Sequence, residues 1–138
     1  MVDPYGPILA LIRDASAVTA IVGQRVGNEV EAPPSVQLIA NATTRRPFGV
    51  SSGRLEMQLW IGIARCFGVD STAGAILARQ LAGAVSDALH GRSPTMVGTK
   101  FIARAYAPDL DGVNRDPDLH WPYVDVRLEV HAAAQAVA

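Results

Sequence analysis

Leu55-Glu56-Met57-Gln58-Leu59-Trp60-Ile61-Gly62-Ile63-Ala64 has a period of two. Leu55, Met57, Leu59, Ile61 and Ile63 fall on one side, and Glu56, Gln58, Trp60, Gly62 and Ala64 on the other. That is the pattern of a half-buried β-strand. The strand, read over 54–64, is expected to turn its Leu and Ile side inward and to leave Trp60 on the mixed face. A Trp in that position is covered by the N-terminal helix or buried by a partner. Just downstream, Asp70-Ser71 opens a helix that runs to about His90 and stops on Gly91. Ala73, Leu77, Leu81, Ala84, Val85, Ala88 and Leu89 form its apolar stripe. Gly74, Ala78, Ala82 and Gly83 permit close approach to a sheet or to another helix.

Working outward, residues 4–22 read as helical in one or two pieces. Pro4 and Pro7 suit a helix start, Asp14 or Ser16 offers a cap for a second turn, and Gly23 ends it. A short strand is expected within 25–31, and another over Ser35-Val-Gln-Leu-Ile-Ala40 after Pro33-Pro34. Residues 41–53 read as a polar loop, 99–106 as a strand with Phe101, Ala103 and Ala105 on one face, and 107–121 as an acidic loop. The last strand, 122–131, sets Val124, Val126, Leu128 and Val130 inward and Tyr123, Asp125, Arg127 and Glu129 outward. The tail 132–138 is expected to fray. The order predicts an α+β fold in one domain spanning 1–138: a mostly antiparallel sheet of four to five strands, one long helix packed on one face, and a short N-terminal helical segment. A sheet with one covered face leaves strand edges open, and pairing with another subunit protects them.

Length and composition bound the function. The chain has 138 residues, a net charge of −1 and a pI near 6.3, so one domain is expected and no global basic field attracts nucleic acid. It is 49% apolar and 18% charged, which excludes a disordered chain. No apolar run approaches the roughly 20 residues of a membrane helix, and the N-terminus lacks a leader pattern. The single cysteine, Cys66, cannot form an internal disulfide. A soluble protein of a reducing compartment is therefore expected. Eleven arginines stand against one lysine, and alanine occurs 22 times, which points to a GC-rich genome.

Catalytic motifs are scarce. The sequence holds no Walker-type phosphate loop, no Gly-x-Gly-x-x-Gly and no Gly-x-Ser-x-Gly. His90, His120 and His131 are not spaced as metal ligands. His90 reads as a favourable charge at a helix end, and Cys66 as a small buried residue without an activating base. Asp109, Asp111, Asn114, Asp116 and Asp118 crowd one loop, but Gly112 and His120 fall where a calcium loop needs other residues. No cofactor or metal is expected. The loop reads as a solvated acidic patch, or as one that faces arginine on a partner. Arg45, Arg46 and Phe48 are its basic counterpart: an arginine pair with an aromatic is a common interface anchor, and an ordinary exposed loop is the plainer alternative.

The arrangement resembles a family. Ile8-Leu-Ala-Leu-Ile-Arg-Asp14, then Ala17-Val-Thr-Ala-Ile-Val-Gly-Gln-Arg-Val26, is similar to the opening of tail terminator (tail completion) proteins of long-tailed phages. Ala32-Pro-Pro-Ser-Val-Gln-Leu38 resembles their entry to the next strand, and Leu55–Ile61 their central strand. Ala84-Val-Ser-Asp-Ala-Leu-His-Gly91 resembles the end of their helix, and 109–130 their acidic loop and closing strand. Together these cover most of the chain. Each motif is loose, and their common order carries the resemblance. It implies a non-enzymatic virion protein of the head–tail neck, assembled in the host cytoplasm. It further implies a hexameric ring that caps the tail tube, docks the head–tail connector or stopper protein, and lets genomic DNA pass, with no membrane partner. In such a ring every interface is heterologous. The candidate interface residues are Arg45, Arg46, Phe48, Arg54, Trp60, Arg65, Asp109, Asp111, Asp116, Asp118 and Trp121. The aspartates are expected to face Arg45, Arg46, Arg54 or Arg65 of a neighbour or partner. Pro117 and Trp121-Pro122 hold the acidic loop extended. The alternatives are a neighbouring head-completion or stopper protein, a small enzyme with a metal at the Asp-rich loop and His120, and a ligand-binding or toxin–antitoxin-like module using a sheet face with Trp60 and Tyr123.

Overall fold

A computed structural model describes residues 4–47, 56–92, 94–98 and 100–134, with backbone only at 44–47, 56–58, 133 and 134. The helices are α1 (Tyr5–Asp14), α2 (Ser16–Val22) and α3 (Thr72–Leu89). The strands are β1 (Val26–Gly27), β2 (Ser35–Pro47), β3 (Glu56–Phe67), β4 (Thr95–Val97), β5 (Lys100–Tyr106), β6 (Asn114–Arg115) and β7 (Pro122–Ala134). They form one sheet in the order β1-β2-β3-β7-β5-β4, with β6 also on β7. Only β1 and β2 run parallel. The α+β architecture holds, with four long strands and three short ones among the described residues.

Most differences from the expectation lie in the extent and phase of the strands. Residues 41–47 are strand, not loop. β2 continues to Pro47 opposite β3, with Thr43 across from Trp60 and Arg46 across from Met57, after an irregularity between Ala40 and Ala42. A polar composition reads as a loop, yet the ladder to β3 satisfies this backbone whatever the side chains. The remaining loop residues, with Phe48 and Arg54, lie outside the described residues. β7 likewise runs on to Ala134, which pairs with Lys100, so the first residues of the expected frayed tail are in the sheet. The short β4, in a stretch given no element from the sequence, pairs with β5.

The phase of β3 is opposite to the expected one at its centre. Trp60 lies opposite Val130, Gly62 opposite Leu128, and Ala64 opposite Val126. All six belong to one side, and that side is the core: Trp60, Ala64, Val126 and Val130 are buried. Ile61, expected inside, is 41% exposed. Gly62 explains the exchange, because a Cβ there would collide with the Trp60 indole and the Ile39 carbonyl. The indole therefore fills the space where a side chain at 62 would stand. β5 also changes phase: a register shift between Ile102 and Arg104 puts Ile102 and Ala105 inside. Phe101, Ala103 and Ala105 thus do not share a face.

α3 starts as predicted. The Ser71 hydroxyl accepts the Gly74 N–H at 3.0 Å, and Gly91 adopts φ +66° after the last turn. Its buried face is Gly74, Ala78, Leu81, Ala82, Val85 and Leu89, a row of small residues beside a row of large ones. The expected stripe is thus rotated, since Ala73 is exposed. At the strand-to-helix corner the backbone is crowded. A Cβ on Gly68 would strike the Gly74 carbonyl, and one on Gly74 would strike the Val69 carbonyl. α1 and α2 meet at 81° and bury Ile8, Ile12, Val18 and Val22 in the same core. α2 begins after Ala15 with no side-chain cap from Asp14 or Ser16. No single described helix is long and apolar enough to cross a membrane.

Candidate interaction surface

The sheet face away from the helices carries the polar chemistry. In a β-strand every second residue shares a face, so Arg65 on β3 stands beside Asp125 on β7, and Ile63 beside Arg127. Arg65 makes a two-pronged pair with Asp125, Nε to Oδ1 at 2.9 Å and Nη2 to Oδ2 at 3.1 Å. Its guanidinium also lies 4.2 Å from the centre of the Tyr123 ring. The hydrogen bond to Asp125 raises the Arg65 pKa above its ordinary value. Phe67 stacks edge-on against Trp121 and Tyr123 at 5.9 and 5.8 Å, which places Trp121 over the end of β3. Two opposite charges at facing positions of two polar strand sides are the sequence signal for this pair. Only one of its members, Arg65, stands out without knowledge of the register.

Asp125 is 7% exposed, while the Arg65 side chain keeps 27% of its surface in solvent. Asp125→Ala is expected to lower stability by about 2 kcal/mol, because it strips Arg65 of two charge-assisted bonds. Asp125→Asn keeps one acceptor and is expected to cost less. Urea unfolding monitored by tryptophan fluorescence measures both.

The acidic loop is an organised structure. The Asp116 carboxylate accepts the N–H groups of Asp118 and Leu119, each at 2.9 Å. These bonds hold its pKa below the usual carboxylate range. Asp111 approaches Arg127 at 3.4 Å, and Arg115 pairs with Asp70 at 2.9 Å, which ties the loop to the start of α3. Asp109 and Asp118 are exposed, and their carboxylates make no ion pair among the described residues. The sequence-predicted residues thus fall into distinct settings. Arg65 is committed within the chain, Asp111 and Asp116 have local partners, and Asp109 and Asp118 are open. Trp60 is core, which removes it from any free sheet face. Arg45 and Arg46 are described as backbone on β2, near the far end of the β2–β3 ladder.

The remaining titratable groups do not converge. Among the described residues no three His, Cys, Asp or Glu side chains could hold a metal ion together. Cys66 is fully buried, and burial drives its thiol pKa far up. His90 Nδ1 accepts the Ala107 N–H at 3.0 Å, closing the end of α3 onto the exit of β5. A shallow cleft of about 300 Å³ opens next to this join, lined by Gly91, Arg92, Pro94, Ala103, Arg104 and Tyr106. Sequence reading passed over this cleft, since Arg92 and Arg104 are 12 positions apart and line it together where the Gly91 N–H donates to the Ala105 carbonyl.

No protein-family model and no curated protein matches the sequence. The fold has a counterpart among solved structures. A chain of "Virion of native gene transfer agent (GTA) particle" superposes with a TM-score of 0.68 at 17% identity, over 92% of this chain and 92% of that chain. At that identity the likeness establishes a shared fold.

Proposed function

We propose that the protein is a non-enzymatic structural subunit of a phage-like virion, and within it the tail terminator. The observation that carries this reading is the fold likeness to a virion chain over 92% of both chains, with neither chain leaving a large unmatched domain. The order of motifs that resembles tail terminators points to the finer role. In this role copies of the chain form a ring, hexameric by that resemblance, on the finished tail tube. The ring stops tube growth and presents its other side to the head–tail connector, and genomic DNA passes through its centre. A net charge of −1 suits that passage, because a dense arginine lining would hold phosphates. The acidic loop is one docking element of the ring.

Purified protein added to tail tubes tests the reading. Negative-stain micrographs are expected to show a ring at one end of tubes of uniform length. Tubes that keep growing in its presence contradict a terminator, and rings found only on head connectors assign the chain to a neighbouring neck position.

A further inference from the structure

The sheet ends in two edges that the described residues leave partly open. On one side β1 covers β2 only at Val36 and Gln37, and the Tyr5 hydroxyl donates to the Leu38 carbonyl at 3.0 Å. Beyond Leu38 no described strand pairs with the outer side of β2. On the other side the Gly91 N–H donates to the Ala105 carbonyl of β5, and β4 covers Lys100, Phe101 and Ile102. The outer side of β4 has no described partner. β6 offers only two residues, beside the opposite end of β7. The registers set both open edges in one row: Arg45 on β2, then Gln58, Ala132, Ile102, and Thr95 on β4. Three strands separate the edges by roughly 19 Å, so they cannot pair within one chain. Every ladder along the row is antiparallel, so β2 and β4 run in the same direction.

In an antiparallel ladder alternate residues turn their N–H and C=O groups away from the partner strand. The Val36 N–H donates to the Arg25 carbonyl and the Leu38 carbonyl accepts from Tyr5, so 36 and 38 face outward on β2. The irregularity between Ala40 and Ala42 moves this alternation by one, and Thr43 and Arg45 face outward after it. The β4–β5 hairpin closes on the Val97–Lys100 pair, which leaves Met96 facing outward on β4. We infer that β4 of one copy adds to the open edge of β2 of the next, with Met96 between Thr43 and Arg45, so that one sheet runs from subunit to subunit. The Met96 N–H then donates to the Thr43 carbonyl, and the Arg45 N–H donates to the Met96 carbonyl, the slanted pattern of a parallel pair. The next place along, between Arg45 and Pro47, lacks a donor because proline has no N–H. The place at Thr44 differs from the in-chain row by two residues, and an even stagger keeps each face on its own side. The Met96 side chain, 45% exposed, is covered by the contact. A second copy is the occupant because one contact closes both edges. They lie on opposite sides of the protomer, in one row and in one direction, which is the head-to-tail arrangement that closes into a ring. A two-fold pairing of β2 with β2 leaves β4 open. The inference rests on the ring reading and names its contact.

Paired cysteines test it, since neighbouring strands lie about 4.8 Å apart, within disulfide reach. The double variant Thr44→Cys with Met96→Cys is expected, under a mild oxidant, to give a ladder of covalent multimers on a denaturing gel. Each single variant is expected to give none. Met96→Pro removes the outward N–H and leaves the β4–β5 bonds in place. By light scattering it is expected to need about tenfold more protein for half-assembly than the wild type, the worth of roughly one hydrogen bond. Its circular dichroism spectrum is expected to match the wild type. If the proline variant fails to fold, the cysteine pair decides alone. A double variant that assembles without cross-links overturns this pairing and leaves the ring reading standing. So does a folded Met96→Pro protein that assembles like the wild type. Dimers from a single variant, the mark of a two-fold pairing, or cross-links only to added tail-tube protein, overturn it too. A wild type that assembles neither in solution nor on tube ends overturns both.

Discussion

Trp60→Ala is expected to lower the unfolding free energy by about 3–5 kcal/mol, the range for removing a large buried aromatic. The loss reaches beyond the transferred area. The indole lies against Gly62, which has no side chain to fill the space left behind, and its neighbours are held by the β2–β3 and β3–β7 ladders. Tyr5 loses its edge contact, now at 6.4 Å between ring centres. Trp60→Phe is expected to cost much less than the alanine change. It keeps most of the apolar volume and removes an indole N–H that has no acceptor among the described residues. Chemical denaturation of the three proteins by circular dichroism gives the comparison. Equal losses for Phe and Ala would show that the ring is not packed as described.

Gly74→Ala is expected to lower stability by about 3 kcal/mol, although alanine is the better helix former. The added Cβ would overlap the Val69 carbonyl, a backbone atom that cannot rotate away. The Gly68 N–H donates to the Pro122 carbonyl, so the corner is anchored to β7 as well. Gly83→Ala, on the same helix, has open space around the new methyl and is expected to stabilise by about 0.5–1 kcal/mol. Thermal unfolding reads the opposite signs directly. Two substitutions identical in chemistry and opposite in effect would locate the tight contact at the first turn of α3 alone.

These two sites also explain what the amino-acid sequence makes legible. The existence of β3 follows from its alternation, because a period of two has no helical reading. Its phase does not follow, since alternation is the same from either side. Leu59, Ile61 and Ile63 outnumber Trp60, yet one Trp beside one Gly packs better under the helices than Ile61 would. α3 is legible at both ends because Ser71 and Gly91 act through local geometry. The strand character of 41–47 is not, because it depends on a ladder with residues elsewhere in the chain. The same holds for the surface. The acidic loop is visible as composition, but which of its aspartates are already occupied depends on the turn at Asp116 and on Arg127.

Cys66 is the only cysteine in the chain, and it points into the core side of β3 with its thiol held protonated. Thiolate is the reactive form, so this sulfur is silent toward maleimides and disulfides while the fold is intact. The protein therefore offers a blank background for placed labels. A cysteine introduced on the acidic loop or in the cleft would be the single reactive position per subunit. Distances between fluorophores in the assembly proposed above would then count its members.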